Sequence, residues 1–296
     1  MYTVIGATGN TGRVVAEELL VAGLPVRVVG RSDERLAPFV EKGAEAMVGD
    51  VSDAGFVARA CDGVGAVYSL IPIAYNANLR EWQGKVGKAL AKGIRESGAP
   101  YVVNLSSVGA QHHQGTGPIV GLREQEDRLN ELSEVDVLHL RPASFMENLY
   151  MSLDGIRSMG VLAMPMPADV PIAMIATRDI GVEAARRMTA LDFDGHHTRE
   201  LLGPRDYTMT EVAAIVGAAI GKPDLPYVQV PPEAAAEAFA GMGMHAETIP
   251  TLLEMYRGYA DEHIVPQEPR SAANTTPTTL EEFADQLAAA YHAQGA

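Results

Sequence analysis

The chain has 296 residues, 47% hydrophobic and 21% charged, with a net charge of −15. That length suits one large domain or two modest ones, and an acidic surface repels phosphate backbones, which argues against direct nucleic-acid binding. The single cysteine, Cys61, builds neither a disulfide framework nor a thiolate metal site, and no leader-like or membrane-spanning apolar run stands out, so the expectation is a soluble cytoplasmic protein.

Short apolar runs alternate with helical patterns through the first half. The expected strands are Tyr2–Ile5, Pro25–Val29, Ala46–Val48, Ala66–Ile71, Tyr101–Leu105 and Val137–Leu140. They are rich in Val, Ile and Leu and mostly continuous, as strands buried on both faces should be. Gly12–Ala22, Leu79–Glu96 and Leu122–Leu132 carry apolar residues at helical spacing between them. This alternation predicts an α/β fold, a Rossmann-type doubly wound parallel sheet of six strands over residues 1–150.

Residues 151–296 read as a smaller, mostly helical lobe, with some elements returning to the core. Met159–Pro171 looks like an irregular connection, and Thr177–Leu191 like a helix with Asp179 near its N-terminus. Thr208-x-x-Glu211 is a capping box for a helix that runs through Ile220 and stops at Gly221. Pro232–Met242 and Thr248–Tyr259 are further helices; in the latter, Ile249, Leu252, Leu253 and Tyr256 form an apolar stripe of core type. Ser271–Pro277 reads as a loop, and Thr278-x-x-Glu281 is expected to cap the last helix.

The strongest motif is Gly6-Ala7-Thr8-Gly9-Asn10-Thr11-Gly12, directly after the first strand and at the start of a helix. Glycines there let the backbone approach a pyrophosphate, and the helix N-terminus points unpaired N–H groups at it. After the second strand come Arg31 and Ser32, a planar cation and a hydroxyl where a 2′-phosphate would lie, so NADP(H) is expected ahead of NAD(H). Asp33 is the carboxylate that would favour NAD instead. Asp50 and Val51 follow the third strand beside the adenine position, where Asp50 would accept from the adenine amino group or cap a helix.

This glycine loop, with Asn104-Leu105-Ser106-Ser107, the run Leu140-Arg141-Pro142-Ala143-Ser144-Phe145-Met146-Glu147-Asn148, and Asp179-Ile180-Gly181, resembles the atypical, NmrA-like branch of the short-chain dehydrogenase/reductase superfamily. That branch includes NADP-sensing regulators and NADPH-dependent quinone reductases. The resemblance implies that Leu70, Ile71 and Pro72 line the cofactor and that Ser106 and Ser107 face its nicotinamide. It also implies that Pro142, Ala143 and Phe145 border the nicotinamide pocket and that Asn148 faces substrate. The substrate is expected near Tyr75, His112, Phe145 and Asn148.

Active members of the wider superfamily use Tyr-x-x-x-Lys as a proton relay. None of the ten tyrosines here is followed four residues later by lysine, and the expected helix reads Leu122-Arg123-Glu124-Gln125-Glu126. The relay is absent from the sequence. One reading is a reductase of small electron-poor acceptors such as quinones, in which positioning carries most of the work and water, His112 or His113 protonates the product. The other is a non-catalytic NADP(H)-binding redox sensor that acts through a protein partner; a homo-oligomer is left open separately. A third, cofactor-retaining isomerase reading has no sequence feature in its favour. His196-His197 reads as a loop, and neither histidine pair has a carboxylate at metal-ligand spacing, so no metal is expected.

Overall fold

The computed structural model describes residues 1–293. Its first half alternates β1 (Tyr2–Ile5), α1 (Asn10–Val21), β2 (Val26–Gly30), α2 (Asp33–Val40), β3 (Glu45–Val48), α3 (Ala54–Ala60), β4 (Ala66–Ser69), α4 (Leu79–Ser97), β5 (Tyr101–Leu105), α5 (Ile119–Asn130) and β6 (Asp136–Pro142). Then come β7 (Ser144–Phe145), a 3-10 turn (Met146–Ser152), α6 (Leu153–Met159), β8 (Leu162–Met164), β9 (Ile172–Ile175), α7 (Thr177–Ala190) and β10 (His196–Leu201). The chain closes with β11 (Asp206–Tyr207), α8 (Met209–Ala219), β12 (Tyr227–Gln229), α9 (Pro232–Gly241), α10 (Thr248–Ala260) and α11 (Leu280–Ala293).

The main sheet has seven parallel strands in the order β10-β6-β5-β4-β1-β2-β3, one more than the sequence led us to expect. The extra strand contains His196 and His197, which were expected in a loop. Its exposed, polar start (His196, His197 and Thr198) hides the strand signal, because it pairs only on one side, with β6. Both faces of the sheet are covered. Val15 and Leu19 of α1, Leu36 of α2 and Ile180 of α7 pack on one face; Val57 of α3, Leu90 of α4 and Leu129 of α5 pack on the other. This two-sided burial explains the continuous apolar strands.

A separate cluster forms the lobe, with Met146, Leu162, Tyr207, Val212, Phe283 and Leu287 at its centre. The stretch expected to be irregular contains β8, which pairs in parallel with β12. The Thr208–Glu211 capping box is present in both halves. The last helix is capped one residue later than expected: Thr279 N–H donates to Glu282 at 2.9 Å, and Glu282 N–H to Thr279 Oγ1 at 3.1 Å. Thr278 instead bonds Asp179 through its N–H at 3.0 Å and its hydroxyl at 2.8 Å. Glu147 accepts from the Thr177 N–H at 3.0 Å, satisfying a donor at the start of α7. Two carboxylates of the resemblance motifs therefore fasten α7, one to the Met146–Ser152 turn and one to the lobe. Among the described residues no helix is long and apolar enough to cross a membrane.

Candidate functional site

The carboxyl ends of the parallel central strands all lie along one edge of the sheet, the edge where ligands bind in sheets of this order. At β1 the chain turns through Gly6, whose φ of +70° suits glycine, and Gly9 N–H closes the turn on the Gly6 carbonyl at 2.9 Å. Gly12 lies against that carbonyl so tightly that a Cβ there would sit 2.8 Å from the Gly6 carbonyl carbon. Helix α1 starts with no side-chain cap and no acidic residue in its first turn. The N–H groups of Asn10, Thr11 and Gly12 thus face outward at the positive end of the helix, an anion-binding arrangement. The Thr11 side chain is turned the other way: it is buried, and its Oγ1 accepts from the Tyr68 hydroxyl at 2.9 Å. Only the backbone of Thr11 is available to a ligand.

Arg31 is exposed past the end of β2. Ser32 caps α2, its Oγ accepting from the Arg35 N–H at 3.3 Å. That cap brings in a residue the sequence reading passed over: Arg35 Nη2 donates to the Thr8 carbonyl at 3.1 Å, beside the glycine loop. Its signal was available, since a Ser-capped helix starting after Arg31 returns its third residue toward the cap. Asp50 does not cap a helix; Asp53 does that for α3. Asp50 accepts from the Ser52 N–H at 2.8 Å, and this bond holds its carboxyl below the usual range. Val51 is buried beside it.

Leu70 lies against the Gly6 turn, Ile71 is buried, and the Pro72 carbonyl accepts from Trp82 Nε1 at 2.7 Å. The two serines after β5 separate. Ser106 is buried, and its hydroxyl donates to Glu126 Oε1 of α5 at 2.5 Å. Glu126 is itself gripped by Arg141 of β6, through Nε at 2.8 Å and Nη2 at 2.5 Å. A charge-assisted Ser106–Glu126–Arg141 set thus lies behind the sheet edge. Ser107 is half-buried and donates to the Val108 carbonyl at 2.9 Å. Pro142 and Ala143 are buried, Phe145 is half-buried and Asn148 is exposed.

Of the two histidines after β5, His113 is exposed, whereas His112 is half-buried and stacks on His263, with ring centroids 3.8 Å apart. Burial, then the neighbouring His263, pulls the His112 imidazole below its usual range. His112 is not the simple exposed loop residue its neighbour is. Among the described residues no group of three or more His, Cys, Asp or Glu is placed to hold a metal ion.

Helix α10 crosses this edge. Thr248 at its start donates to the Ala77 carbonyl at 2.7 Å and accepts from the Leu79 N–H at 3.0 Å, and just before it His245 N–H donates to the Tyr75 carbonyl at 2.8 Å. Farther along, Glu254 accepts from the Gly115 N–H at 2.9 Å, and Gly117 packs against Thr251 and Met255. Ile249 and Leu252 of its stripe are buried against Phe239, as core residues; Tyr256 is only half-buried.

Comparison with known proteins agrees with this architecture. A family model described as the NmrA-like family matches residues 2–284. The chain is 27% identical over 302 residues to the NAD(P)H azoreductase of Xenophilus azovorans, covering 99% of this chain and 100% of that one. Among solved structures, it matches the NADPH-dependent quinone oxidoreductase of Escherichia coli complexed with NADPH, at TM-score 0.82 and 20% identity over 97% and 99% of the two chains. It also matches the triphenylmethane reductase of Citrobacter sp., at TM-score 0.74 and 18% identity over 97% and 98%.

Proposed function

The chain belongs to the NmrA-like family, and from that premise we propose that it is an NADPH-dependent reductase of small electron-poor acceptors, quinones or azo compounds among them. The observation that carries the reading is the Gly6–Gly12 cradle: a backbone approach that a Cβ would fill, facing an uncapped helix end free of acidic side chains. These residues fit a dinucleotide. Gly6, Thr8, Gly9, Asn10, Thr11 and Gly12 would hold the pyrophosphate, Thr11 through its N–H alone. Arg31, Ser32 and Arg35 would hold a 2′-phosphate, with Asp50 and Val51 beside the adenine. Leu70, Ile71, Pro72, Ser107, Pro142 and Phe145 would line the nicotinamide end, and Ser106 would support it from behind. The names of the azoreductase and quinone oxidoreductase relatives point the same way.

When bound, the cofactor supplies the hydride. The protein's share is to hold the acceptor against the nicotinamide and exclude water, and correct placement alone removes much of a barrier. Glu126, in the helix where a relay would be sought, is buried with both oxygens taken by Ser106 and Arg141, so neither is left to reach an acceptor. The product's proton comes from water or from His112. That same occupied position favours the second reading, a cofactor-binding redox regulator without turnover. Mixing the protein with NADPH and a panel of quinones and azo dyes, and following nicotinamide absorbance, decides between them. Turnover is expected; tight NADP+ binding with no turnover on any acceptor overturns the reductase.

A further inference from the structure

Three tyrosines gather around α10, where it packs over the loop after β4. Tyr75 lies on the loop after β4, and Tyr256 and Tyr259 are one turn apart on α10; all three are half-buried. The Tyr256 ring is held from behind by Phe239 of α9, with centroids 6.2 Å apart and planes within 18°. Tyr75 packs on the same α9–α10 cluster as Tyr256. Tyr259 packs against both the sheet core and the lobe core, and its hydroxyl faces Ser144, directly before Phe145. Tyr259 therefore sits between the sheet and lobe cores beside the end of β6, and Tyr75 and Tyr256 sit on the α9–α10 side of it.

We propose that Tyr256 and Tyr259, together with Tyr75, form the wall against which the acceptor lies, and that they select a flat, uncharged aromatic acceptor. The inference rests on the reductase reading above and names the residues that would set its specificity. Aromatic faces favour offset stacking with a planar ring, and a phenol O–H donates to a carbonyl oxygen or azo nitrogen. Burial raises all three phenols, Tyr259 to about 12, so they stay neutral donors. An anionic acceptor would find no cation among these tyrosines and Phe239 and would lose hydration against their rings.

The chain's one tryptophan supplies the readout, because Trp82 is bonded to the Pro72 carbonyl, three residues from Tyr75. The full chain, saturated with NADP+ so that no turnover occurs, is titrated with 1,4-naphthoquinone and with its 2-sulfonate while Trp82 quenching is followed. Naphthoquinone should bind, and the sulfonate about fivefold more weakly. Y256L and Y259L should each weaken naphthoquinone about fivefold, the value of one aromatic contact, and leave NADP+ affinity within about twofold. If a leucine variant does not fold, Y256F and Y259F test the hydroxyl bonds alone and Y75L, on a loop, carries the test of the wall: a loss of about fivefold supports it, and no change overturns it. Folded leucine variants that bind naphthoquinone like wild type overturn the wall assignment alone. Equal binding of the sulfonate overturns the charge selection. A wild-type protein that binds neither quinone overturns the proposal, and NADPH turnover on another acceptor then leaves the reductase reading standing.

Discussion

Replacing Gly12 by alanine tests the cofactor cradle with a single methyl group. The added Cβ would lie 2.8 Å from the Gly6 carbonyl carbon and 3.2 Å from the Ala7 nitrogen. Carbon atoms in good contact stand about 3.5–4.0 Å apart, so α1 and the β1 turn must separate by about 0.7 Å or more. Both sides of the clash are backbone, and no side-chain rotation relieves it. Overpacking of this kind costs about 1–3 kcal/mol, and a displacement of that size takes a 2.9 Å hydrogen bond beyond useful length. Gly12→Ala should therefore lower the melting temperature by several degrees, about 2–4 °C for each kcal/mol lost, and raise the Kd for NADP+ about tenfold or more. Gly9→Ala is the matched control for fold stability alone. Its φ of −89° suits any residue, and its nearest neighbour would be the Gly6 oxygen at 3.3 Å. Calorimetry and NADP+ titration on the two variants check the argument. A Gly12→Ala protein with wild-type melting temperature and NADP+ affinity would refute it.

Arg31→Ala and Arg35→Ala should each weaken NADP+ more than NAD+, by about tenfold for a lost charge-assisted bond; equal loss for both cofactors would remove the 2′-phosphate assignment. Glu126→Gln leaves the Arg141 guanidinium buried without its counter-charge, and should destabilise the fold by about 3–5 kcal/mol in urea unfolding. His139 of β6 accepts from Asn104 Nδ2 at 3.2 Å and donates to Asn130 Oδ1 at 3.0 Å, an arrangement that needs a neutral ring. Burial pushes its imidazole down to about 4. Its contribution is therefore intact above pH about 6.5 and lost as pH falls from there toward 4, by about 3 kcal/mol, because the unfolded chain takes up the proton first. Urea midpoints of wild type and His139→Gln across that range measure the difference, and parallel curves would contradict it.

Several features of this protein follow from local sequence. Doubly buried strands must be continuously apolar, so β1, β2, β4, β5 and β6 stand out, while the edge strand β3 shows only its short apolar run, and the glycine loop after β1 is legible because its turn and its helix start are adjacent in the chain. The Thr208–Glu211 box is local for the same reason. Tertiary structure alone decides what depends on distant partners. The strand at His196–Leu201 begins with exposed polar residues and is held by β6. The shift of the last cap to Thr279 reflects Asp179, 99 residues away, claiming Thr278. Arg35 joins the glycine loop only because α2 turns back on β1. Thr11 and Ser106, expected to face the ligand, spend their hydroxyls on Tyr68 and Glu126. Tyr256, one member of a core-like stripe, proves to be half-buried between the α9–α10 cluster and the lobe core, since helical spacing defines a face but not what that face meets. Sequence determined the net charge of −15; only the fold brings Arg35 onto the loop that precedes an uncapped helix end, a local arrangement suited to anions on an acidic protein.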